Sequence, residues 1–296
     1  GNVGEGSGPF FFRGAELIEE LKGEPVTSPV YAREACQFID SNKDKPFFLY
    51  LSFNAVHSPL VASPHWLEKF SHLSKRQQAY AALIGEADEA IGTVMTKLRE
   101  LKLEENTLIF CISDNGGASQ EAEQMGLRGS KWFVWEGGIR VTWMAQWKGK
   151  IPGNRVIADP VIQLDVLPTA LAACGQKSNV PLDGVNLLPL LEGKEEHLAP
   201  RELFFRFGVQ HAVRQGDWKL VKASGQMQPM LVNLASDPGE SKDLSTDQPA
   251  KKAELVALFE KWNASMQPPR WEDRRWNGDP DRKANKKTKN QKKKQE

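Results

Sequence analysis

One stretch of the chain joins a strand-forming segment to residues that suit a ligand site. Residues 108–112 are apolar, and residues 113–117 follow at once with the sequence Ser-Asp-Asn-Gly-Gly. The apolar part has the length of a strand that is buried on both faces. The carboxyl ends of such parallel strands form the edge of the sheet where open α/β folds bind their ligands. The stretch therefore predicts an α/β fold in which residues 113–117 lie at this edge of the sheet.

The side chains at this corner allow two interpretations. Asp114 offers carboxylate oxygens and Asn115 a carbonyl oxygen, which are ligands for a hard cation such as Ca²⁺. Gly116 and Gly117 let the backbone turn sharply and leave room for a bound group. Asp, Asn and Gly also dominate ordinary turns. On these residues alone a simple turn is the better interpretation, so the neighbouring motifs decide.

Helical and strand patterns alternate over the first two thirds of the chain. A helix is predicted to start at Ser28 and Pro29, and the longest helical pattern covers residues 75–103. Strands are predicted at 47–53, 108–112 and 139–147, and a helix follows within residues 159–174. This order predicts an α/β fold with a mostly parallel sheet and crossover helices.

The pattern changes after residue 200. Short strands separated by turn residues are predicted, followed by an amphipathic helix at 250–264; the strands are 202–207, 212–214, 219–222 and 230–233. Their spacing predicts a small antiparallel sheet. We therefore expect an α/β domain at 1–200, an antiparallel subdomain at 201–280 and a disordered basic tail at 281–296.

Charge and cysteine content exclude several classes of protein. The net charge is +1, but residues 281–296 carry +6, so the rest carries about −5. The globular part therefore has no nucleic-acid footprint, although the tail could bind polyanions or a membrane surface as a minor alternative. The three cysteines lie far apart and form no zinc or redox motif. No apolar run has the length of a membrane span.

His57 follows the second predicted strand. If that strand is parallel to residues 108–112, its carboxyl end lies on the same sheet edge as Asp114. A histidine there could act as a general acid near neutral pH. The alternative is a loop histidine that caps a turn or bonds to a carbonyl, and the two interpretations are about evenly balanced.

A basic segment follows the glycines. It contains Arg128, Lys131 and Arg140, with Gly129, Gly137 and Gly138 among them. Lys131 suits a sulfate or phosphate oxygen as a point-charge donor. Each of the three could instead be an ordinary exposed charge. For Arg140 an ion pair with Glu136 is favoured over a catalytic role.

Together a cation site, an acid–base histidine and an anion-binding lysine suit the hydrolysis of an anionic ester. These and later segments, in this order, resemble the carboxyl-terminal portion of the formylglycine-dependent sulfatases, which belong to the alkaline-phosphatase-like superfamily. The matching segments are 46–51 with 54–59, 113–116, 129–131 with 135–140, 163–169, 182–185, 216–220 and 234–240.

The resemblance implies a role for each candidate residue. Asp114 and Asn115 would be two of the Ca²⁺ ligands. Lys131 would bind the sulfate and stabilise the leaving oxygen. His57 would also bind the sulfate and would protonate the leaving oxygen. The substrate would be a carbohydrate or aryl sulfate ester, and the compartment would be periplasmic or extracellular. The resemblance implies nothing about oligomeric state.

Three further family features are not found in the sequence. The family nucleophile is a hydrated formylglycine made from Cys or Ser in a C/S-x-P-x-R motif, and no cysteine or serine here has that context. The Asp-Asp pair and the Gly-Lys-x-His segment of the family are not found either. Because these features lie upstream in the family, we expect a missing amino-terminal portion and no activity from these 296 residues alone.

Two other functions remain as alternatives. One is a phosphodiesterase or phosphonate-ester hydrolase of the same superfamily, with Mn²⁺ or Zn²⁺ in place of Ca²⁺. The other is a non-catalytic relative that only binds a sulfated glycan.

Overall fold

Two groups of elements make up the part of the chain that the computed structural model describes, which is residues 11–21, 26–118, 122 and 125–268. The first unit comprises Gly1–Ile109 and Gln146–Gly153, and the second comprises Phe110–Ala145 and Asn154–Glu296. The predicted tail at 281–296 lies outside the described residues. None of the described helices has the length and apolar character needed to cross a membrane.

Two long helices form the core of the first unit. Helix α1 spans Thr27–Asn42 and helix α3 spans Lys75–Glu100, and they pack together through small and branched side chains. These are Ala32, Ala35, Ile39, Ala90, Val94 and Leu98. Val94 and Leu98 belong to the apolar stripe that predicted α3 and are buried here, whereas Ile84 of the same stripe is 49% exposed.

Short elements complete this unit. Strands β1 (Phe12–Arg13) and β2 (Glu16–Leu17) form an antiparallel hairpin. A short helix, α2, covers Pro64–Lys69 ahead of α3. Helix α1 begins after Val26, so Ser28 is buried in the first turn instead of capping it as predicted.

Residues 47–53 form no strand in the structure, so the strand predicted there is wrong. Their side chains nevertheless alternate as in extended chain. Phe47, Leu49, Leu51 and Phe53 pack on the helical core, whereas Phe48 and Tyr50 are 80% and 81% exposed. No strand in the described part of the chain pairs with this segment. The apolar run therefore has one buried face and not two.

Strand β3 covers Ile109–Ile112 and pairs with β4, Trp143–Gln146. Strand β3 is where it was predicted, but its residues are only partly buried. The strand predicted at 139–147 is shorter than expected, because one helical turn, α4 (Glu136–Ile139), occupies its start. The predicted parallel sheet with crossover helices is not confirmed by the strand pairs described.

The predicted antiparallel sheet is confirmed. Its strands are β5 (Glu202–Phe207), β6 (Gln210–Gln215), β7 (Trp218–Lys222) and β8 (Met230–Asn233), in that order. All three pairings are antiparallel. The predicted division of domains at residue 200 stays a prediction.

Each face of this sheet packs on a different segment. Helix α6 (Pro249–Ser265) covers one face, where Leu255 meets Val213, Leu220 and Leu231. On the other face, Ala212 and Val221 contact Val134 and Trp135. The sheet is therefore the support on which the segment after Lys131 lies.

A buried ion pair joins three segments of the second unit. The side chain of Asp165 is fully buried, and its two oxygens accept hydrogen bonds of 2.6 Å from the two terminal nitrogens of Arg201. The same oxygens accept bonds from the backbone N–H groups of Ile162 and Val185. Asp165 thus anchors the start of helix α5 (Val166–Ala173), the loop at 182–185 and the entry to β5.

We expect Asp165→Asn to destabilise the protein by on the order of 3 kcal/mol at pH 7, because it leaves the Arg201 charge without its partner. Burial raises the pKa of Asp165, but Arg201 and the backbone bonds from Ile162 and Val185 together outweigh it, and the net shift is downward. The stabilisation that ionised Asp165 provides is therefore complete above its unfolded pKa of about 3.9. It is lost as the pH falls through the lower pKa that Asp165 has in the folded protein. Urea unfolding at pH 7 and below pH 4 should show the variant losing less stability on acidification than the wild type.

The matched control is Asp183→Asn, which alters an exposed carboxyl group in the neighbouring loop. It should change the free energy of unfolding by less than about 0.5 kcal/mol. An identical pH dependence for wild type and Asp165→Asn would contradict the prediction.

Candidate functional site

The corner after β3 is held by backbone bonds to the segment around α4. The N–H of Ser113 donates to the carbonyl of Thr142 at 3.1 Å, and that of Gly116 donates to Gly138 at 2.9 Å. A Cβ on Gly116 would lie 2.8 Å from the carbonyl carbon of Gly137, closer than side chains tolerate. Glycine is required at position 116 because the two backbones touch there.

Lys131 is tied to the same corner. Its N–H donates to the carbonyl of Gly117 at 2.9 Å, and its side chain is half-buried. The structure therefore brings together two of the predicted site segments, residues 113–117 and 129–131, through backbone contacts.

The side chains of the corner form the local bonds of a turn. Asp114 Oδ1 accepts from the N–H of Asn115 at 2.9 Å, and Asn115 Nδ2 donates to the carbonyl of Gly116 at 3.0 Å. Because a carbonyl can only accept, the second bond fixes which atom of the Asn115 amide is nitrogen. The amide oxygen of Asn115 and Oδ2 of Asp114 are then left as acceptors.

These two oxygens have the right chemistry for a hard cation such as Ca²⁺. Asp114 is exposed and Asn115 is half-buried, so a ligand can reach the corner. Among the described residues, no cluster of three His, Cys, Asp or Glu side chains could hold a metal ion. The corner therefore fits a part of a calcium site, and further ligands would have to come from elsewhere.

His57 belongs to the first unit and is exposed. Its Nδ1 lies 2.7 Å from the carbonyl oxygen of Ser58, and its N–H donates to the carbonyl of Asn54. Because the carbonyl only accepts, Nδ1 carries a hydrogen, and Nε2 is the nitrogen that can exchange a proton. The bond to a carbonyl is the one that the alternative interpretation of a loop histidine expects, and its catalytic role stays a prediction.

Sequence reasoning missed a buried charge cluster beside Lys131. The side chain of Lys219 is fully buried, and its ammonium lies 2.8 Å from an oxygen of Glu136 and 2.8 Å from one of Glu240. The other oxygen of Glu240 accepts a 2.6 Å bond from the N–H of Glu136. Arg214 lies 3.9 Å from Glu136 as a second cation. We call these four residues the Lys219 cluster.

This cluster corrects one expectation. Glu136 was predicted to pair with Arg140, but it pairs with Lys219 and Arg214, while the exposed Arg140 bonds to it only through the backbone. The available signal was a lysine inside strand β7, flanked by the apolar residues Trp218 and Leu220. Lys219 shares a sheet face with Val221, and that face meets the segment before Glu136.

Arg128 has a structural position as well. Its guanidinium lies 3.9 Å from the ring centre of Trp135, and Nη1 donates to the carbonyl of Glu240 at 2.8 Å.

His211 stacks on Phe259 with ring centres 4.1 Å apart. Burial and the nearby Lys222 lower the pKa of His211, so it is neutral near pH 7. The contacts of Arg128 and of His211 agree with a packing role for each residue.

Two family models match the chain. The sulfatase model matches residues 15–176, and the model of the N-sulphoglucosamine sulphohydrolase carboxyl-terminal region matches residues 129–265. The first includes His57, the corner and Lys131, whereas the second includes Lys131 and the antiparallel sheet. The two matches together span almost all of the described residues.

Named relatives and solved structures agree with these models. Human arylsulfatase H is 31% identical over 277 residues, which cover 79% of this chain and 48% of the relative. Human steryl-sulfatase is 32% identical over 209 residues, or 67% of this chain and 35% of the relative. The crystal structure of Ps i-CgsB is 32% identical with a TM-score of 0.76, covering 82% of this chain and 56% of that one. The chain thus spans about half the length, or less, of the relatives it matches.

We expect Lys219→Ala to destabilise the protein by roughly 3–5 kcal/mol at pH 7, because two buried carboxylates would lose the ammonium between them. Burial raises the pKa of Glu240 despite Lys219, so this carboxyl group takes up a proton readily on acidification. The loss measured by urea unfolding should therefore shrink as the pH is lowered toward 5.

Lys222→Ala on the same strand is the matched control, since Lys222 is half-buried and lies on the other sheet face. We expect it to cost less than about 1 kcal/mol. Equal losses for the two variants, or a loss at Lys219 that does not depend on pH, would contradict the prediction.

Proposed function

Because the chain belongs to the sulfatase family, we propose that it is part of an enzyme that hydrolyses sulfate esters. The observation that supports the proposal is the backbone bond between Lys131 and Gly117, which brings the lysine segment to the Asp114–Asn115 corner. A sulfate monoester carries one negative charge on three oxygens, so a fixed cation beside it stabilises the charge that moves onto the leaving oxygen.

Lys131 and His57 have separate roles in this proposal. Lys131 binds a sulfate oxygen and steadies the leaving oxygen. His57 keeps Nδ1–H on the Ser58 carbonyl, so its protonated Nε2 gives a proton to the leaving oxygen as the S–O bond breaks. In this proposal the attacking nucleophile is a formylglycine that lies upstream of these residues. The fold proposed for the α/β domain is a mostly parallel sheet with crossover helices.

Calcium is the metal that fits the donors of the corner. Asp114 and Asn115 would hold it, and the bound ion would supply positive charge for the sulfate oxygens. The substrate class is a carbohydrate or aryl sulfate. A carbohydrate sulfate as substrate is supported by Ps i-CgsB, which is 31% identical to this chain and whose crystal structure was solved in complex with k-i-k-neocarrahexaose. The compartment is periplasmic or extracellular.

We expect Lys131→Ala to lower kcat/KM for an aryl sulfate by about 10²–10³-fold, because one fixed charge at the reacting group is lost. The assay uses the full-length protein that contains this chain, with para-nitrophenyl sulfate and the matching phosphate ester as substrates. Lys177→Ala, an exposed lysine in the second unit, is the control and should retain wild-type activity.

The same assay separates the alternatives. Faster turnover of the phosphate ester by the wild type would favour the phosphodiesterase or phosphonate-ester hydrolase. A protein that binds a sulfated glycan but hydrolyses neither ester would be the non-catalytic relative. Unchanged kcat/KM in Lys131→Ala would remove Lys131 from the mechanism.

We expect Asp114→Ala to weaken calcium binding by more than about tenfold, since affinity depends on the number of charged ligands. Calorimetric titration of the metal-free full-length protein with Ca²⁺ measures this, with Asp183→Ala as a control for loss of an exposed carboxylate. Wild-type protein that binds Mn²⁺ or Zn²⁺ but not Ca²⁺ would support the phosphodiesterase alternative.

A further inference from the structure

Trp132, directly after Lys131, has a backbone conformation that tryptophan rarely adopts. Its φ is +80°, in the left-handed region, and its side chain is 51% exposed. A bulky residue in that region is strained, and such strain persists only where surrounding contacts maintain it. Half-exposure of a large aromatic ring also gives up much of the stabilisation that burial provides. Packing alone therefore does not account for tryptophan at this position.

The hairpin between β5 and β6 holds Trp132 in place. Gln210, which is fully buried, donates from Nε2 to the carbonyl of Trp132 at 2.9 Å. Its amide oxygen accepts a 3.1 Å bond from the N–H of Ser224, so both ends of the Gln210 amide are fixed. Phe207, the partner of Gln210 across the hairpin, lies 6.0 Å from the Trp132 ring, centre to centre. The backbone and ring of Trp132 are thus positioned by separate residues of one hairpin.

The exposed ring lies beside the ammonium of Lys131. Lys131 Nζ is 5.4 Å from the centre of the Trp132 ring. In a sulfate ester the alcohol is attached through one oxygen to the sulfur, so an ester whose sulfate binds Lys131 can place its alcohol against this ring. The flat face of an indole suits a flat partner, such as an aryl ring or the C–H face of a sugar ring.

We propose that Trp132 is a stacking platform for the ring of the substrate alcohol and selects cyclic sulfate esters over acyclic ones. The proposal rests on the role of Lys131 proposed above. The Trp132 ring would contact the alcohol part of the substrate and not the sulfate group. Removing the platform should therefore raise KM and Kd for cyclic esters and leave kcat nearly unchanged.

The test uses Trp132→Gly and Trp132→Phe in the full-length protein. Glycine accepts the positive φ without strain, so it removes the ring and keeps the backbone, whereas phenylalanine keeps a flat ring. For para-nitrophenyl sulfate we expect Trp132→Gly to raise KM and Kd about tenfold and Trp132→Phe about threefold or less. For an acyclic alkyl sulfate neither variant should change either constant. Val209→Ala, an exposed apolar change in the same hairpin, is the matched control.

Calorimetric binding is measured beside turnover so that the two proposals fail separately. Wild-type protein that binds the cyclic sulfate through Trp132 but hydrolyses nothing would overturn the proposed function and leave the platform standing. Equal losses for cyclic and acyclic esters in Trp132→Gly, no loss for the cyclic ester, or no binding of either ester by the wild type would overturn the platform.

Discussion

The buried ammonium of Lys219, between the carboxylates of Glu136 and Glu240, is the interaction on which the candidate site in the second unit depends. Removing three charges from water is costly, and the cost is offset only when each charge has close partners. Distances of 2.8 Å to both carboxylates and a backbone bond to Glu240 meet that condition. Because the cost of separating these groups is high, β7, the segment near 240 and the start of α4 are held together.

The site is connected to this cluster through backbone bonds. Glu136 begins α4, the N–H of Gly137 donates to the carbonyl of Arg128, and the carbonyl of Gly138 accepts from Gly116. The Asp114 corner is therefore placed by main-chain contacts that lead back to buried charges. The side chain of Asp114 adds a local turn bond to Asn115. Burial separates the two kinds of charge, because Glu136, Lys219 and Glu240 are buried, whereas Asp114 and Lys131 are exposed or half-buried.

Elements that depend on local pattern could be predicted from the sequence. The stripe of α3 and the turn-separated strands β5 to β8 are encoded by residues close in the chain, and both were confirmed within a few residues. Residues 47–53 could not be predicted in the same way, because a strand assignment requires a pairing partner as well as an apolar run. The Lys219 cluster was missed because Lys219 and Glu136 are 83 positions apart and Glu136 and Glu240 are 104 apart. Chemistry-bearing residues such as Lys131 were found by residue type, whereas their partners required the tertiary structure.

The two interpretations of the Asp114–Asn115 corner, turn and metal site, are compatible with each other. The turn uses one carboxylate oxygen of Asp114 and the amide nitrogen of Asn115. The remaining acceptors are the other carboxylate oxygen and the amide oxygen, which are the atoms that a hard cation binds. The local bonds fix the orientation of both groups before any ligand arrives, so less conformational entropy is lost on binding. The hydrogen bonds of the turn therefore do not count against the proposed role of these residues in metal binding.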